Sequence, residues 1–424
     1  TIQDGIDAVA EGGTVNVAAG TYDGFQVVDK TGLTIIGAGS DQTIVAPTSL
    51  ISTGTAHKYT PNMLASVFVN GSTGILLQGM TIKSTSATPG SGGADAIVFW
   101  NASTGEIKDS VIQGIYPING VQSGQGIAVD AGSEETATLS LTNTSISGFQ
   151  KNGIDIVNGN SATSGGGAIT VNVTGGTITG AGPTDVIAQN GIMFWNRAGG
   201  NLNGAISGVT LTGFDYTLDG NEAIGFLNYG SGTGNLSLTN CNFSSNEVHV
   251  YDNENRLNIG DIVEGNDFDK AVTVKKPDNT LLPEIWSKIQ DAIDAASGGD
   301  TINVAAGTYN EDLEIGKSIT LLGPNAAISP NTGTRVPEAV VAPLDEDGVA
   351  DIAVLATNGN SDITIKGFTF DMDSTTDPSD QFIQAICKAD LEWVIENNIF
   401  KNAPDTDIGY WQFTGCGASS TVVI

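Results

Sequence analysis

The sequence predicts an all-β solenoid, wound from stacked parallel coils and begun twice along the chain. Three observations carry this. The segment Ile2-Gln-Asp-Gly-Ile-Asp-Ala through Gly20-Thr-Tyr22 returns as Ile289-Gln-Asp-Ala-Ile-Asp-Ala through Gly307-Thr-Tyr309, offset throughout by 287 positions, and repetition of that kind is read before any local assignment. The small residues that end one recurring strand, Ser84, Gly114, Gly148, Gly180, Gly213 and Ser245, follow one another at spacings of 30, 34, 32, 33 and 32. Finally, 56 glycines and only 15% charged residues are interleaved with short alternating runs of Ile, Val, Leu, Thr, Ser and Asn, the pattern of many short strands between tight turns.

Each copy opens on a short amphipathic helix. Ile2, Ile6 and Val9 fall on one helical face before Gly12-Gly13 stops it and Thr14-Val-Asn-Val17 begins alternation. The second copy repeats this with Ile285, Ile289, Ile293 and Ala296, then Gly298-Gly299 and Thr301-Ile-Asn-Val304. A helix that opens a strand stack is a lid over the bare end of its core.

Two further patterns recur within each coil. One is Leu139-Ser-Leu-Thr-Asn143, Val171-Asn-Val-Thr-Gly175 and Leu236-Ser-Leu-Thr-Asn240; the other is Gly126-Ile-Ala-Val, Gly153-Ile-Asp-Ile, Gly191-Ile-Met-Phe and Ala223-Ile-Gly-Phe. Three strands in about thirty-two residues fit a parallel solenoid, whereas a propeller blade needs four antiparallel strands and about forty residues. The first domain is expected over 1–275, a linker over 276–283, where Pro277 and Pro283 flank an Asp-Asn pair, and a second, shorter domain over 284–424. Because the chain opens on Thr1 without Met, it reads as a processed product or an excised fragment, and the strand-like run that closes it either pairs with something there or marks a truncated second domain.

With these residues in place, the chain resembles the right-handed parallel β-helix proteins of the pectate-lyase-like superfamily. The resemblance rests on Gly12-Gly-Thr-Val-Asn-Val-Ala-Ala-Gly-Thr-Tyr22 and its copy ending at Tyr309, which are similar to the opening coil of that superfamily, and it covers nearly the whole chain. It implies two tandem right-handed β-helices, each opened by a capping helix. It does not imply one activity, because the scaffold hosts lyases, hydrolases, epimerases, adhesins and surface-layer proteins. It also implies that catalytic groups, where present, stand on the outer face of one strand ladder.

Charge narrows the partners. A net charge of −31, from 47 acidic and 16 basic side chains, repels phosphate backbones and anionic headgroups, so nucleic-acid binding and membrane insertion are not expected. No run of eighteen apolar residues is present. Such a surface suits an extracellular or cell-surface location, plain solubility or a calcium-containing exterior. Cys241, Cys387 and Cys416 are too few for a disulfide framework; Cys387 and Cys416 are either stacked one coil apart or buried thiols.

In the Gly-Ile pattern the isoleucine and the residue two later point inward: Ile97/Phe99, Ile127/Val129, Ile154/Ile156, Ile192/Phe194, Ile224/Phe226 and Val248/Val250. The alternating set points out: Val98/Trp100, Ala128/Asp130, Asp155/Val157, Met193/Trp195, Gly225/Leu227 and His249/Tyr251. Trp411, in Ile408-Gly-Tyr-Trp-Gln-Phe413, reads as a third member of the Trp100 and Trp195 slot. Outward indoles at coil spacing, about 4.8 Å per coil, with Met193 and Leu227 beside them, are a candidate docking face for a polysaccharide or cell-surface glycan, or for a partner protein. The competing expectation is that long loops fold over the stripe and bury it.

Asp130 and Asp155, on adjacent coils about 5 to 7 Å apart, are candidate acid and base for a hydrolase. His249 and Tyr251, with Glu247, Asp252, Asp219 and Arg256 around them, are the corresponding pair for a lyase. Neither pair matches the enzymes of the resemblance. An Arg-rich calcium site and the segments Asn-Thr-Asp, Asp-Asp, Gly-His-Gly and Arg-Ile-Lys are missing, and Arg197, Arg256 and Arg335 are the only arginines. Calcium is a possible cofactor at Asp371, Asp373, Asp377 and Asp380, whose closely spaced oxygens lack the glycine and terminal Glu of an EF-hand. Asn70, Asn101, Asn143, Asn172, Asn235 and Asn242 head glycosylation sequons, and equally are corner residues of stacked turns. The reading that unites these features is a rigid structural, adhesive or glycan-binding element, able to assemble with its own copies. The rival is a polysaccharide lyase or glycoside hydrolase.

Overall fold

The computed structural model describes residues 1–54, 63–84, 94–113, 120, 122–132, 134–159, 166–197, 199–218, 220–343, 352–357, 361–372, 381–386, 392–402, 411–414 and 421–423, with 352, 385, 386 and the last two segments as backbone only. The chain divides into two compact units, Thr1–Phe268 and Asp269–Ile424.

The first unit is a parallel β-helix with three ladders. The first stacks Thr14–Val17, Thr34–Gly37, Ile75–Gln78, Thr104–Lys108, Thr136–Thr142, Ala168–Thr174, Asn201–Ser207 and Leu236–Thr239. The second stacks nine short strands from Gly20–Tyr22 to Asp267–Phe268, and the third runs from Phe25–Val28 to Val248–Asp252. Along these three ladders the registers are parallel. Alternation buries every second side chain; Ile97, Ile127, Ile154, Ile192 and Phe226 form one inner row.

That row shifts one predicted equivalence. Ile224 pairs with Asn190 and Phe226 with Ile192, so the sixth coil sits two residues from the alignment expected from Ala223-Ile-Gly-Phe. The cause lies at the corner where the second ladder turns into the third. A Cβ on Gly126 would stand 2.6 Å from Ile146 Cγ2, one on Gly153 2.6 Å from Ile178 Cγ2, and one on Gly191 2.7 Å from Leu211 Cδ2. Only glycine fits against the core there, and in the sixth coil the glycine that answers this need is Gly225.

The opening helix Ile2–Ala8 is held by a capping box, in which Thr1 Oγ1 accepts from Asp4 N at 3.1 Å and the Asp4 carboxylate accepts from the chain amine at 2.9 Å. Ile2 and Ile6 are buried. The lid also closes a strand edge: Gln3 Nε2 donates to Gln26 O at 3.2 Å and Gln3 Oε1 accepts from Gln26 N at 2.9 Å. One side-chain amide thus serves the first third-ladder strand as a neighbouring strand would.

The second unit repeats the device. Gln290 Nε2 donates to Glu314 O at 3.2 Å and its Oε1 accepts from Glu314 N at 2.8 Å. Its helix is Ile289–Ala295, whose first N–H groups go to Glu311 at 2.9 Å each while Lys317 Nζ donates to the carbonyls of Ile293, Asp294 and Ala296. Burial pushes the Glu311 carboxyl up from its ordinary value. Ile285 is not on that helix: it is buried in the strand Glu284–Trp286, which pairs antiparallel with Val272–Lys275. Val272–Lys275 also pairs antiparallel with Thr301–Val304, so residues 269–283 belong with the second unit and the expected linker is its turn, closed by Lys276 N to Thr280 O at 2.8 Å. From Thr301 onward three parallel ladders stack here as well.

Candidate functional site

The outer face of the third ladder in the first unit carries two register rows. One runs Phe68, Val98, Ala128, Asp155, Met193, Leu227, Tyr251. The other includes Asn70 and Trp100, then Asp130, Val157, Trp195 and Tyr229, with Trp100 continuing to Asp130 from the Phe99 and Val129 pair. Trp100 and Trp195 therefore share one row, three coils and about 14 Å apart. Sequence alternation found both rows as far as Met193 and Trp195, but it placed Gly225 and His249 in the first and Leu227 and Tyr251 in the second, where the register puts Leu227 and Tyr251 in the first and Tyr229 in the second.

The two ends of this face differ. At the early coils Met63, Ala65, Phe68, Val98 and Ala128 form a buried cluster with Ile51 and Trp100 packed on it. The strand Ile51–Ser52 pairs antiparallel with Leu64 and Ala65 of the third ladder here, which brings Ile51 against the cluster. Val98, Val157 and Met193, expected outside, are buried. The Trp100 indole is thus half-buried against an outer cluster.

At the late coils the face opens. Leu227, Tyr251 and Trp195 are half-buried, and Tyr229 is 47% exposed. The Trp195 and Tyr229 rings lie 6.1 Å apart at 57°, and the Arg197 guanidinium sits 4.6 Å from the Trp195 ring centre. Neither Tyr229 nor Arg197 stood out as a ligand residue in the sequence. The two-residue shift of the sixth coil is what brings Tyr229 opposite Trp195.

Asp130 and Asp155 are diagonal neighbours on adjacent coils, as spacing predicts, but they are 2% and 0% exposed. A pair so covered meets no glycosidic bond in this conformation.

The second predicted pair does not form. His249 follows the corner glycines in register and not the outward set. Its ring lies in the core, 6.1 Å from that of Phe243 and 5.3 Å from that of Phe268, with Asn246 Nδ2 3.3 Å from its Nδ1. Of its supposed neighbours, Glu247 accepts from Ala223 N at 2.8 Å, and Asp252 accepts from Asn228 Nδ2 and Leu257 N at 2.5 Å each. Arg256 donates to the carbonyls of Leu202 and Thr233 and to Asn228 Oδ1 and contacts Glu254 at 2.8 Å. These groups close the end of the stack. Asp219 lies outside the described residues, and Tyr251 hydroxyl reaches Asn253 at 3.3 Å.

Of Trp411, the third expected member of that slot, the backbone alone is described. Its backbone pairs with Ile383, in the row of Leu313, Val354 and Ile383, all core residues of the second unit. Among the calcium candidates, Asp371 contacts Lys401 Nζ at 2.6 Å and accepts from Asn402 at 2.8 Å, while Asp373, Asp377 and Asp380 lie outside the described residues, as do Cys387 and Cys416. No group of three or more His, Cys, Asp or Glu suited to a metal ion occurs among the described residues. Of the sequon asparagines, Asn101, Asn143, Asn235 and Asn242 are exposed; Asn101 and Asn143 adopt positive φ at turns. No helix of the described residues is long and apolar enough to cross a membrane.

No family model matches the sequence, and no curated protein matches at a significant level. Solved structures similar to this chain include a thermostable GH87 α-1,3-glucanase catalytic unit from Streptomyces thermodiastaticus, at 13% identity and a TM-score of 0.24, covering 99% of this chain and 66% of the other. A PL6 family alginate lyase is similar at 11% identity and a TM-score of 0.23, covering 99% and 77%. A mannuronan C-5 epimerase module from Azotobacter vinelandii is similar at 11% identity and a TM-score of 0.24, covering 95% and 92%. The fold itself is established by the parallel registers of this chain.

Proposed function

We propose that this chain is an extracellular or cell-surface protein of two tandem parallel β-helices that binds a glycan without cleaving it, through the open end of the third ladder. The supporting observation is a contrast on one face: Tyr229 stands 47% exposed against a half-buried Trp195, while the carboxylates nearest them, Asp130 and Asp155, are covered. Rings fixed on a rigid ladder lose little ordering entropy when a ligand docks, and an aromatic face suits the apolar side of a sugar ring.

Tyr229→Ala in the full chain is expected to weaken retention on a glycan array about ten-fold, as loss of an exposed aromatic anchor does, with no change in melting temperature. Unchanged retention on every glycan the parent protein binds refutes the reading. Assembly with further copies of itself, and calcium at Asp371 to Asp380, belong to the same proposal; light scattering and calorimetric titration in millimolar calcium test them together.

A second reading, a lyase or hydrolase, is favoured by one observation, that Asp130 and Asp155 are neighbours on the same outer face as Trp195. It requires Asp130 and Asp155, 2% and 0% exposed, to become accessible. Screening neutral and uronic polysaccharides for unsaturated products and new reducing ends separates the two, and activity lost in both Asp130→Asn and Asp155→Asn would establish the enzyme.

A further inference from the structure

We infer that the open end of the third ladder selects a sugar bearing a carboxylate or sulfate, with Arg197 as the group that recognises the anion and Trp195 as its positioning residue. The inference rests on the glycan-binding reading above and adds the charge of the ligand. The guanidinium at 4.6 Å covers one face of the Trp195 indole, so that face is not offered to a sugar and instead fixes the cation in place. The Arg197 backbone is held as well, its N–H donating to Asn158 Oδ1 at 2.5 Å. The ring left open beside it is Tyr229, 47% exposed and 6.1 Å from Trp195.

The other two arginines are engaged within the fold. Arg256 serves Leu202, Thr233, Asn228 and Glu254, and Arg335 makes a two-pronged pair with Glu338 and donates to Ile328 O and Asn397 O. Arg197 differs: among the described residues no carboxylate pairs with it. Its Nε, like that of Arg256, is buried without a hydrogen-bond partner, so the donors it offers a ligand are those of the two terminal nitrogens. A planar fork of N–H donors matches the oxygens of a carboxylate or a sulfate. In a chain of net charge −31, an unneutralised guanidinium beside an open tyrosine is a place where an anionic ring meets attraction, the ring lying on Tyr229 and its charged substituent at the edge of Arg197.

The test measures binding of the full chain to three oligosaccharides of equal length: a neutral glucan, its glucuronate counterpart and its O-sulfated counterpart. One or both anionic probes should bind about ten-fold tighter than the neutral one, the worth of one charge-assisted fork. Arg197→Gln should bring all three within about two-fold of each other, and Arg197→Lys should keep part of the preference because charge survives and the fork does not. Which anionic arm is preferred identifies the substituent. Equal binding of the three probes by the parent protein, or a preference that persists in Arg197→Gln, overturns the inference and leaves glycan binding standing. No binding to any probe counts against both.

Discussion

At the scale of single residues, the duplicated Gln3 and Gln290 show how a side chain substitutes for a missing strand. Each amide both donates to and accepts from one strand residue, Gln26 or Glu314, and each also donates to the acid four positions on, Asp7 or Asp294, at 2.9 Å. Gln290→Ala removes both strand bonds, and chemical denaturation should show a loss of about 1–2 kcal/mol; a variant as stable as the parent would mean that solvent serves that edge equally well. The repeated Ile-Gln-Asp was plain in the sequence. Its task was not, because Gln26 and Glu314 lie more than twenty residues away and reach the amide only once the lid has closed.

Arg335 and Glu338 make a second prediction at this scale. The hydrogen bonds from the Arg335 guanidinium hold the Glu338 carboxyl below its ordinary value. A depressed carboxyl stabilises the fold above its unfolded value of 4.5, and that contribution is lost as pH falls through the lower folded value. Glu338→Gln should therefore cost on the order of 1 kcal/mol at pH 7 for a pair that solvent screens, and the gap from the parent should close as the pH is taken below the carboxylate range. A gap that stays constant with pH would assign the loss to shape and not to charge.

At the scale of elements, corner glycines set the register of the third ladder. A Cβ on Gly191 would stand 2.4 Å from Gly225 O and 2.7 Å from Leu211 Cδ2, whereas one on Gly199, at φ of 79°, meets nothing within 4 Å. Gly191→Ala should cost about 3 kcal/mol through overpacking and Gly199→Ala about 1 kcal/mol through backbone strain alone. Thermal unfolding of the two variants checks the order, and equal losses would remove the corner argument. Period-two alternation was enough to sort inner from outer residues over the middle coils. It misplaced the sixth coil and His249, since alternation within a strand carries no information on which residue meets the corner, and a side chain there turns towards the second ladder.

At the scale of the whole molecule, the charge of −31 sets a broad dependence on salt. Self-repulsion reaches about 10 Å at 0.1 M salt and about 3 Å at 1 M, so added sodium chloride should raise the melting temperature by several degrees; a fall would show that attractive pairs dominate. Parallel ladders join residues about thirty positions apart, and refolding should be correspondingly slow.

The sequence by itself determined the parallel stack, its lids, the strand faces and the shared row of Trp100 and Trp195, because these follow from local periodicity and from repetition. Only the tertiary structure decided that Trp100 packs on a buried outer cluster while Trp195 meets Tyr229 and Arg197, that Asp130 and Asp155 are covered, and that the backbone of Trp411 pairs in register with Ile383. Exposure and register depend on where segments distant in sequence come to rest against one another, and the free energy of that choice is spread over the packed coils, not written in any one of them.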